Sequence, residues 1–411
     1  MKKLILFLML GITFFLQLRA QETDIIDRHR IESLVEHLSS DDFEGREIGT
    51  LGEKRAGDFI ETILQYNGIA PGADNGSYFQ VFRVEPKINP HSQISDTASA
   101  PIVGRNVLGW IDKGADKTIV LGAHYDHLGY GSEGSLYMGD PAIHNGADDN
   151  ASGVAGMIEL GRLLNGTEMS HNVLLLAFSG EEKGLWGSNY FTKNPSLSLD
   201  NIAFMVNMDM IGRLSENKKL AIHGVGTSPV FEEILVRNNR DLELKMEQSG
   251  SGPSDHSSFY YSDVPVLSFF TGQHEDYHKP SDDEHLINYE GMADVLELVL
   301  RVIVDLDDEE AIPFQKTKDE SQDVPRFKVT LGVMPDYMYS GEGMRIDGVR
   351  EGKTADVAGL EKGDVVVKMG EIEVVDMMSY MKALSAFEKG QKTKVQVMRE
   401  GEILEKTVVF Q

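Results

Sequence analysis

The sequence predicts an α/β protein in which a mixed, mostly parallel sheet is covered by helices on both faces, with a small β-rich domain after it. Three observations predict this. Continuous apolar runs such as NVLLLAF (172–178) alternate with amphipathic helical patterns from about residue 106 to residue 306, as strands buried on both faces do. The texture then changes to short strands separated by glycine turns. At 411 residues, the chain is longer than one typical domain.

The elements follow in order. Residues 1–20 combine a basic start, an apolar run of about fifteen residues and the small Ala20, the pattern of a cleaved secretory signal peptide. The mature chain is therefore expected across the inner membrane, in the periplasm or outside the cell. Two helical patterns come next, DRHRIESLVEHLSS and GEKRAGDFIETILQYNG, the second closing on Gly68. NVLGWI, KTIVLGAHYD, NVLLLAF, IAFMVNMDM and VPVLSFF read as strands. ASGVAGMIELGRLLNG, GLWGSNYFTKN, SPVFEEILVRNN and YEGMADVLELVLRVIVDL read as the helices between and after them. A charged stretch with two prolines, residues 307–325, reads as a polar linker. The expected organisation is thus a signal peptide (1–20), an α/β domain (21–306), the linker, and a β-rich domain (326–411).

Composition narrows the function. A formal charge of −27 excludes general affinity for nucleic acid or anionic lipid. The absence of cysteine excludes thiolate metal ligands and a lipidated cysteine, and it leaves stability to the cores.

Five polar stretches sit just after predicted strand ends or in loops, where open α/β sheets bind ligands. GAHYDHLG carries His124 and Asp126, HNGADDNASG carries Asp148 and Asp149, and SGEEKG carries Glu181 and Glu182. VNMDMIG carries Asp209, and HEDYHKPSDD carries His274 and His278. Singly, each has a plainer reading: a core histidine, a helix N-cap, a solvated loop. Together they would gather several carboxylates at one sheet edge, where uncompensated charge is unfavourable. Two divalent cations resolve this. Asp148, Glu182, Asp209 and a hydroxide balance two Zn²⁺, while His124 and His278 add neutral nitrogen; Co²⁺ or Mn²⁺ would also suit such ligands. Of the two adjacent glutamates, one then binds metal and the other serves as a general base.

With these five motifs in this order, residues 38–305 resemble the di-zinc aminopeptidases akin to bacterial leucyl aminopeptidase, whose wider relatives include glutamate carboxypeptidase and glutaminyl cyclase. The resemblance implies that His124, Asp148 and Asp209 hold one zinc and Asp148, Glu182 and His278 the other. It also implies that Asp126 orients His124, that Glu181 is the general base, and that a cis peptide joins Asp148 to Asp149. Asp255 and His256 match a family stretch near the pocket without an assigned role. The C-terminal region resembles a PDZ domain, with Leu331 to Val333 placed to bind a peptide's terminal carboxylate and AGLEKGDVVVKMG as its most recognisable stretch. The implied protein is a secreted aminopeptidase acting on peptides with a free N-terminus, with a module for peptide or protein C-termini. The alternatives are a glutaminyl cyclase-like acyltransferase and a PDZ-dominated binding protein with a silent peptidase domain.

Overall fold

The computed structural model describes residues 25–85, 100–131, 134–309, 311–317, 329–336, 339, 341–349 and 352–410. The expected signal peptide lies outside them. Among the described residues, no helix is long and apolar enough to cross a membrane.

The first domain opens with helices α1 (Arg28–Leu38) and α2 (Leu51–Tyr66). Their starts are capped by Asp27 and Thr50, whose side chains accept the Arg30 and Glu53 amides. Strands β1 (Ala70–Pro71), β2 (Phe79–Val84), β3 (Ile102–Ile111) and β4 (Thr118–His124) follow, then α3 (Gly153–Asn165), β5 (Asn172–Phe178), α4 (Trp186–Lys193) and β6 (Ile202–Met208). After these come β7 (Lys219–His223), α5 (Phe231–Asn238), β8 (Glu243–Met246), α6 (His256–Tyr260), β9 (Val266–Phe270) and α7 (Tyr289–Asp307). They form one nine-stranded sheet of order β1-β3-β5-β4-β6-β9-β7-β8, with β2 paired to β3. The four central strands β5, β4, β6 and β9 run parallel, while β3 is antiparallel to β5 on one side and β7 is antiparallel to β9 on the other. The sheet is therefore mixed, with its parallel part at the centre.

Side-chain alternation explains why the central strands are apolar throughout. Ile119, Leu121, Val173, Leu175, Phe204 and Val206 face the helices α1, α3 and α7 in one core. Val120, Leu174, Leu176, Met205 and Val266 face the other way and pack with Phe191 of α4 and Phe259 of α6. Every residue of β4 and β5 is buried, so both faces demand apolar side chains.

The second domain is a six-stranded antiparallel sheet of order β10-β11-β12-β14-β15, with β13 on β12. Its strands are β10 (Val333–Pro335), β11 (Met344–Val349), β12 (Val365–Met369), β13 (Ile372–Glu373), β14 (Lys392–Arg399) and β15 (Glu402–Val409). Helices α8 (Thr354–Ala358) and α9 (Met377–Ser385) lie between them. Its core of Leu331, Ile346, Val366, Leu384, Val395, Val397 and Phe410 is separate from those of the first domain.

The start of the segment read as a polar linker packs on the first domain. Asp307 accepts the Ser170 and His171 amides, Ile312 packs on the larger core, and the Phe314 ring lies 5.8 Å from that of Tyr260. The Gln315 amide donates to Thr227 O at 2.7 Å, and Thr317 Oγ1 lies 2.9 Å from the Tyr260 hydroxyl. A chain ending at Leu306 is thus expected to be less stable than one ending at Thr317 by about 1–3 kcal/mol, from the apolar contact and hydrogen bonds it lacks. Thermal melts of the two would show it as a drop of a few degrees; equal midpoints would mean that residues 312–317 contribute nothing.

Candidate metal centre

The site forms where the central strands end. β4 stops at His124, and β5 gives way at Gly180 (φ +77°) to a turn closed by Gly184 N and Leu185 N on Glu181 O. A Cβ on Gly180 would meet Ile48 at 2.7 Å as well as strain the backbone. The turn aims Glu181 and Glu182 at the loop after β4, and Asp209 follows β6 directly. His278 comes from the loop between β9 and α7, with the Tyr277 ring stacked 3.8 Å away.

Asp149 is the centre of this cluster. Its Oδ1 lies 3.3 Å from His124 Nε2, and the same nitrogen is 3.4 Å from Asp209 Oδ1. Its Oδ2 lies 3.2 Å from His278 Nε2, which is also 3.2 Å from Glu182 Oε2. Each oxygen of one carboxylate thus faces a different histidine–carboxylate pair. Ligands of a tetrahedral zinc at about 2.0–2.1 Å are ~3.3 Å from one another, so both groups have the spacing of ligands around a shared cation. The outer ring nitrogens are engaged elsewhere: His278 Nδ1 with Gly134 O at 2.9 Å, His124 Nδ1 with Asp126 O at 3.2 Å. These contacts direct both Nε2 atoms inward, as is usual for metal-bound histidines.

Asp148, the expected bridging ligand, does not join the cluster. Its Oδ1 accepts the Gly212 amide at 2.6 Å and the Ser152 hydroxyl at 3.0 Å, and its Oδ2 faces His274 Nε2 at 3.2 Å. The cause is Asp282, a buried carboxylate that accepts the amides of both Asp148 and Asp149 and fixes how the loop presents them. The cis peptide likewise lies one residue beyond its expected place, between Asp149 and Asn150.

Asp126 is buried, but its carboxylate is 3.9 Å from His124 Nδ1, and Oδ1 accepts the Glu181 amide at 3.1 Å. It steadies His124 through its carbonyl and Glu181 through its side chain. His127, which the sequence reading passed over, is fully buried with Nδ1 2.7 Å from Glu182 Oε1 and 3.9 Å from Asp149 Oδ2. At 2.7 Å the first contact is a hydrogen bond. The signal was a second histidine three residues after His124 in HYDHLG.

Electrostatics match this arrangement. Burial disfavours charge on Asp149 and Glu182, yet the facing histidines hold both carboxyls below their usual range. The same contacts outweigh burial at His124 and His278 and push their pKa values well above normal. Glu181 moves the opposite way: burial raises its pKa well above the carboxylate range, and Glu182, Asp255 and Asp209 add to the rise against His124. Asp255 is also raised by burial, to about 7, against the opposing pull of His124 and Ser188. Burial lowers His256, stacked 6.1 Å from His223, to about 3.

Beneath the cluster lies Arg46, buried to 1% exposure. Its guanidinium donates to four carbonyls, of Leu38, Tyr125, Asn145 and Gly146, at 2.6–2.9 Å. Burial lowers its pKa to about 10, which leaves it cationic, and Asp149, Asp282, Asp126 and Glu182 oppose the drop. It fastens the chain after α1 to the loops carrying Asp126 and Asp149.

A mixed sheet with this polar cluster at the ends of its parallel strands defines a zinc-exopeptidase-like α/β protein. Residues 106–303 match Peptidase family M28 and residues 312–409 match the PDZ domain family. It is 27% identical over 241 residues to the uncharacterized protein YfbL of Escherichia coli (strain K12), covering 49% of this chain and 72% of that one. It is 26% identical over 201 residues to the aminopeptidase YwaD of Bacillus subtilis (strain 168), covering 45% of this chain and 40% of that one. In fold it resembles a zinc aminopeptidase from Bacillus subtilis (TM-score 0.53, 17% identity, 72% of this chain and 98% of that one). It resembles equally a glutaminyl cyclase from Bacteroides thetaiotaomicron (TM-score 0.54, 19% identity, 69% and 99%).

Replacing Arg46 tests the foundation of the site. Arg46→Met leaves four buried carbonyls without their donor, and the expected loss of unfolding free energy is at least about 3 kcal/mol. Arg46→Lys is expected to recover only part of it, because one ammonium cannot span carbonyls on three segments. Urea denaturation checks both; a loss below about 1 kcal/mol in Arg46→Met would show that water replaces the guanidinium.

Proposed function

We propose that this protein is a secreted di-zinc aminopeptidase that removes N-terminal residues from peptides. The observation that carries the reading is Asp149, whose two oxygens face His124 with Asp209 and His278 with Glu182. The proposed ligands are therefore His124, Asp149 and Asp209 for one ion and Asp149, Glu182 and His278 for the other. His127 holds Glu182 in place. Zinc in such sites polarises a scissile carbonyl and makes water a stronger nucleophile at neutral pH.

The chain's own residues supply the remaining chemistry. Glu181 lines the same cavity as His124, Asp149 and Asp209, so it is placed to take a proton from the attacking water. It then returns that proton to the leaving amine. No lysine or arginine lines this cavity. Carboxylates without a lysine or arginine among the described lining residues suit a free α-amino group better than a substrate carboxylate. This favours an aminopeptidase over a carboxypeptidase. The basic and apolar pattern of residues 1–20 supports secretion to the periplasm or beyond.

Metal analysis separates the two adjacent aspartates. Asp149→Ala is expected to lose both ions, since it contributes to each, whereas Asp148→Asn should retain them. The reverse result would restore Asp148 as the bridging ligand.

Glu181→Gln should bind metal normally but turn over an aminoacyl anilide about 10²–10⁴-fold more slowly. Metal loss equal to that of Glu182→Gln would show the two roles misassigned. A free N-terminal leucyl peptide should be hydrolysed far faster than its N-acetylated form. Cyclisation of N-terminal glutamine in place of hydrolysis would turn the assignment to a glutaminyl cyclase.

A further inference from the structure

The small cavity at the metal centre adjoins a much larger cleft. Gln273, Tyr277 and His278 line both. The cleft, about 1070 Å³ in volume, is walled on its far side by the PDZ domain through Gly332, Val333, Pro335, Lys353 and Lys389. The metal centre and the PDZ loop therefore face two neighbouring cavities that share a wall.

Two features make the far end a receptor for an extended peptide. β10 is the edge strand of its sheet, paired only with β11, and Val333 and Pro335 at its two ends line the cleft. An open strand edge is where PDZ domains add a peptide as a further strand. The chain enters β10 through Gly332 (φ +72°), where a Cβ would stand 2.4 Å from Lys353 Cβ, so the loop lies directly against Lys353. Lys353 and Lys389 are both exposed.

Charge gives this pair of cavities a direction. Its inner end holds Asp149, Glu181 and Asp209 and no basic side chain but histidine. Its outer end holds two exposed lysines in a chain of net charge −27, while the third lysine of the cleft, Lys279 beside the shared wall, donates to the Glu275 carbonyl. A short peptide with both termini free carries the complementary pair, an ammonium at one end and a carboxylate at the other.

We propose that a single short peptide spans both cavities, with its amino end at the metal centre and its terminal carboxylate at the Leu331–Val333 loop beside Lys353. The proposal rests on the aminopeptidase reading above and adds the substrate class: oligopeptides within a limited range of length, held at both ends. The PDZ domain then measures the substrate, and successive cleavage ends when the peptide no longer reaches.

The test uses the full-length zinc-loaded protein, a leucyl anilide, and a Leu-(Ala)n series prepared as free acids and as C-terminal amides. Free acids should be cleaved with kcat/KM about 10- to 100-fold above their amides, the worth of a hydrogen bond to a charged group, and only around one optimal length. Lys353→Glu should bring the acid-to-amide ratio at that length close to one. Full-length Glu181→Gln, titrated calorimetrically with the optimal peptide, should lose affinity when either terminus is blocked. If the anilide is cleaved but acids and amides match at every length, the spanning mode is wrong and the aminopeptidase reading stands. If the preference for acids persists undiminished at all lengths, the groove holds the end of a long polypeptide, and the proposal is overturned in favour of a protein ligand. If the anilide is not cleaved, the aminopeptidase reading fails and the proposal fails with it.

Discussion

Carboxylates crowded at the end of a buried sheet are the constraint on which the rest of this structure depends. Asp126, Asp148, Asp149 and Asp282 are buried, with Glu181, Glu182 and Asp209 beside them, and their mutual repulsion in a low-dielectric setting must be met by something. The fold meets it in layers. Arg46 stands beneath as a fixed cation that also fastens three backbone segments. Main-chain amides of Asp148, Asp149, Glu181 and Gly212 point at Asp282, Asp126 and Asp148. Histidines face Asp149, Glu182 and Asp209, the carboxylates with the spacing of metal ligands.

Much of this was legible in the sequence, for physical reasons. The central strands declared themselves because strands covered on both faces tolerate almost nothing polar, so their ends are marked by the first polar residues. Those residues include His124, Glu181, Glu182 and Asp209, and the structure brings them together with His278. The outer strands β1, β2, β7 and β8 went unread because they are short or only partly buried, which leaves little pattern to find.

The choice between Asp148 and Asp149 was not legible. Two identical neighbours differ only in what the loop does with them, and that is settled by Asp282, more than 130 positions away. Arg46 was hidden for a related reason: arginine ordinarily reads as surface, and only the carbonyls converging on it reveal its buried place. The segment after Asp307 has a linker's composition, yet its few apolar side chains find a surface already built by Tyr260 and the larger core.

That docking shortens the leash. With Thr317 held against the first domain, eleven residues (318–328) separate it from Val329, a stretch that covalent geometry limits to about 40 Å. The start of the second domain therefore lies within about 40 Å of Thr317. On the reading proposed above, a peptide held by that module would meet the metal centre of its own chain at a local concentration set by the length of the tether.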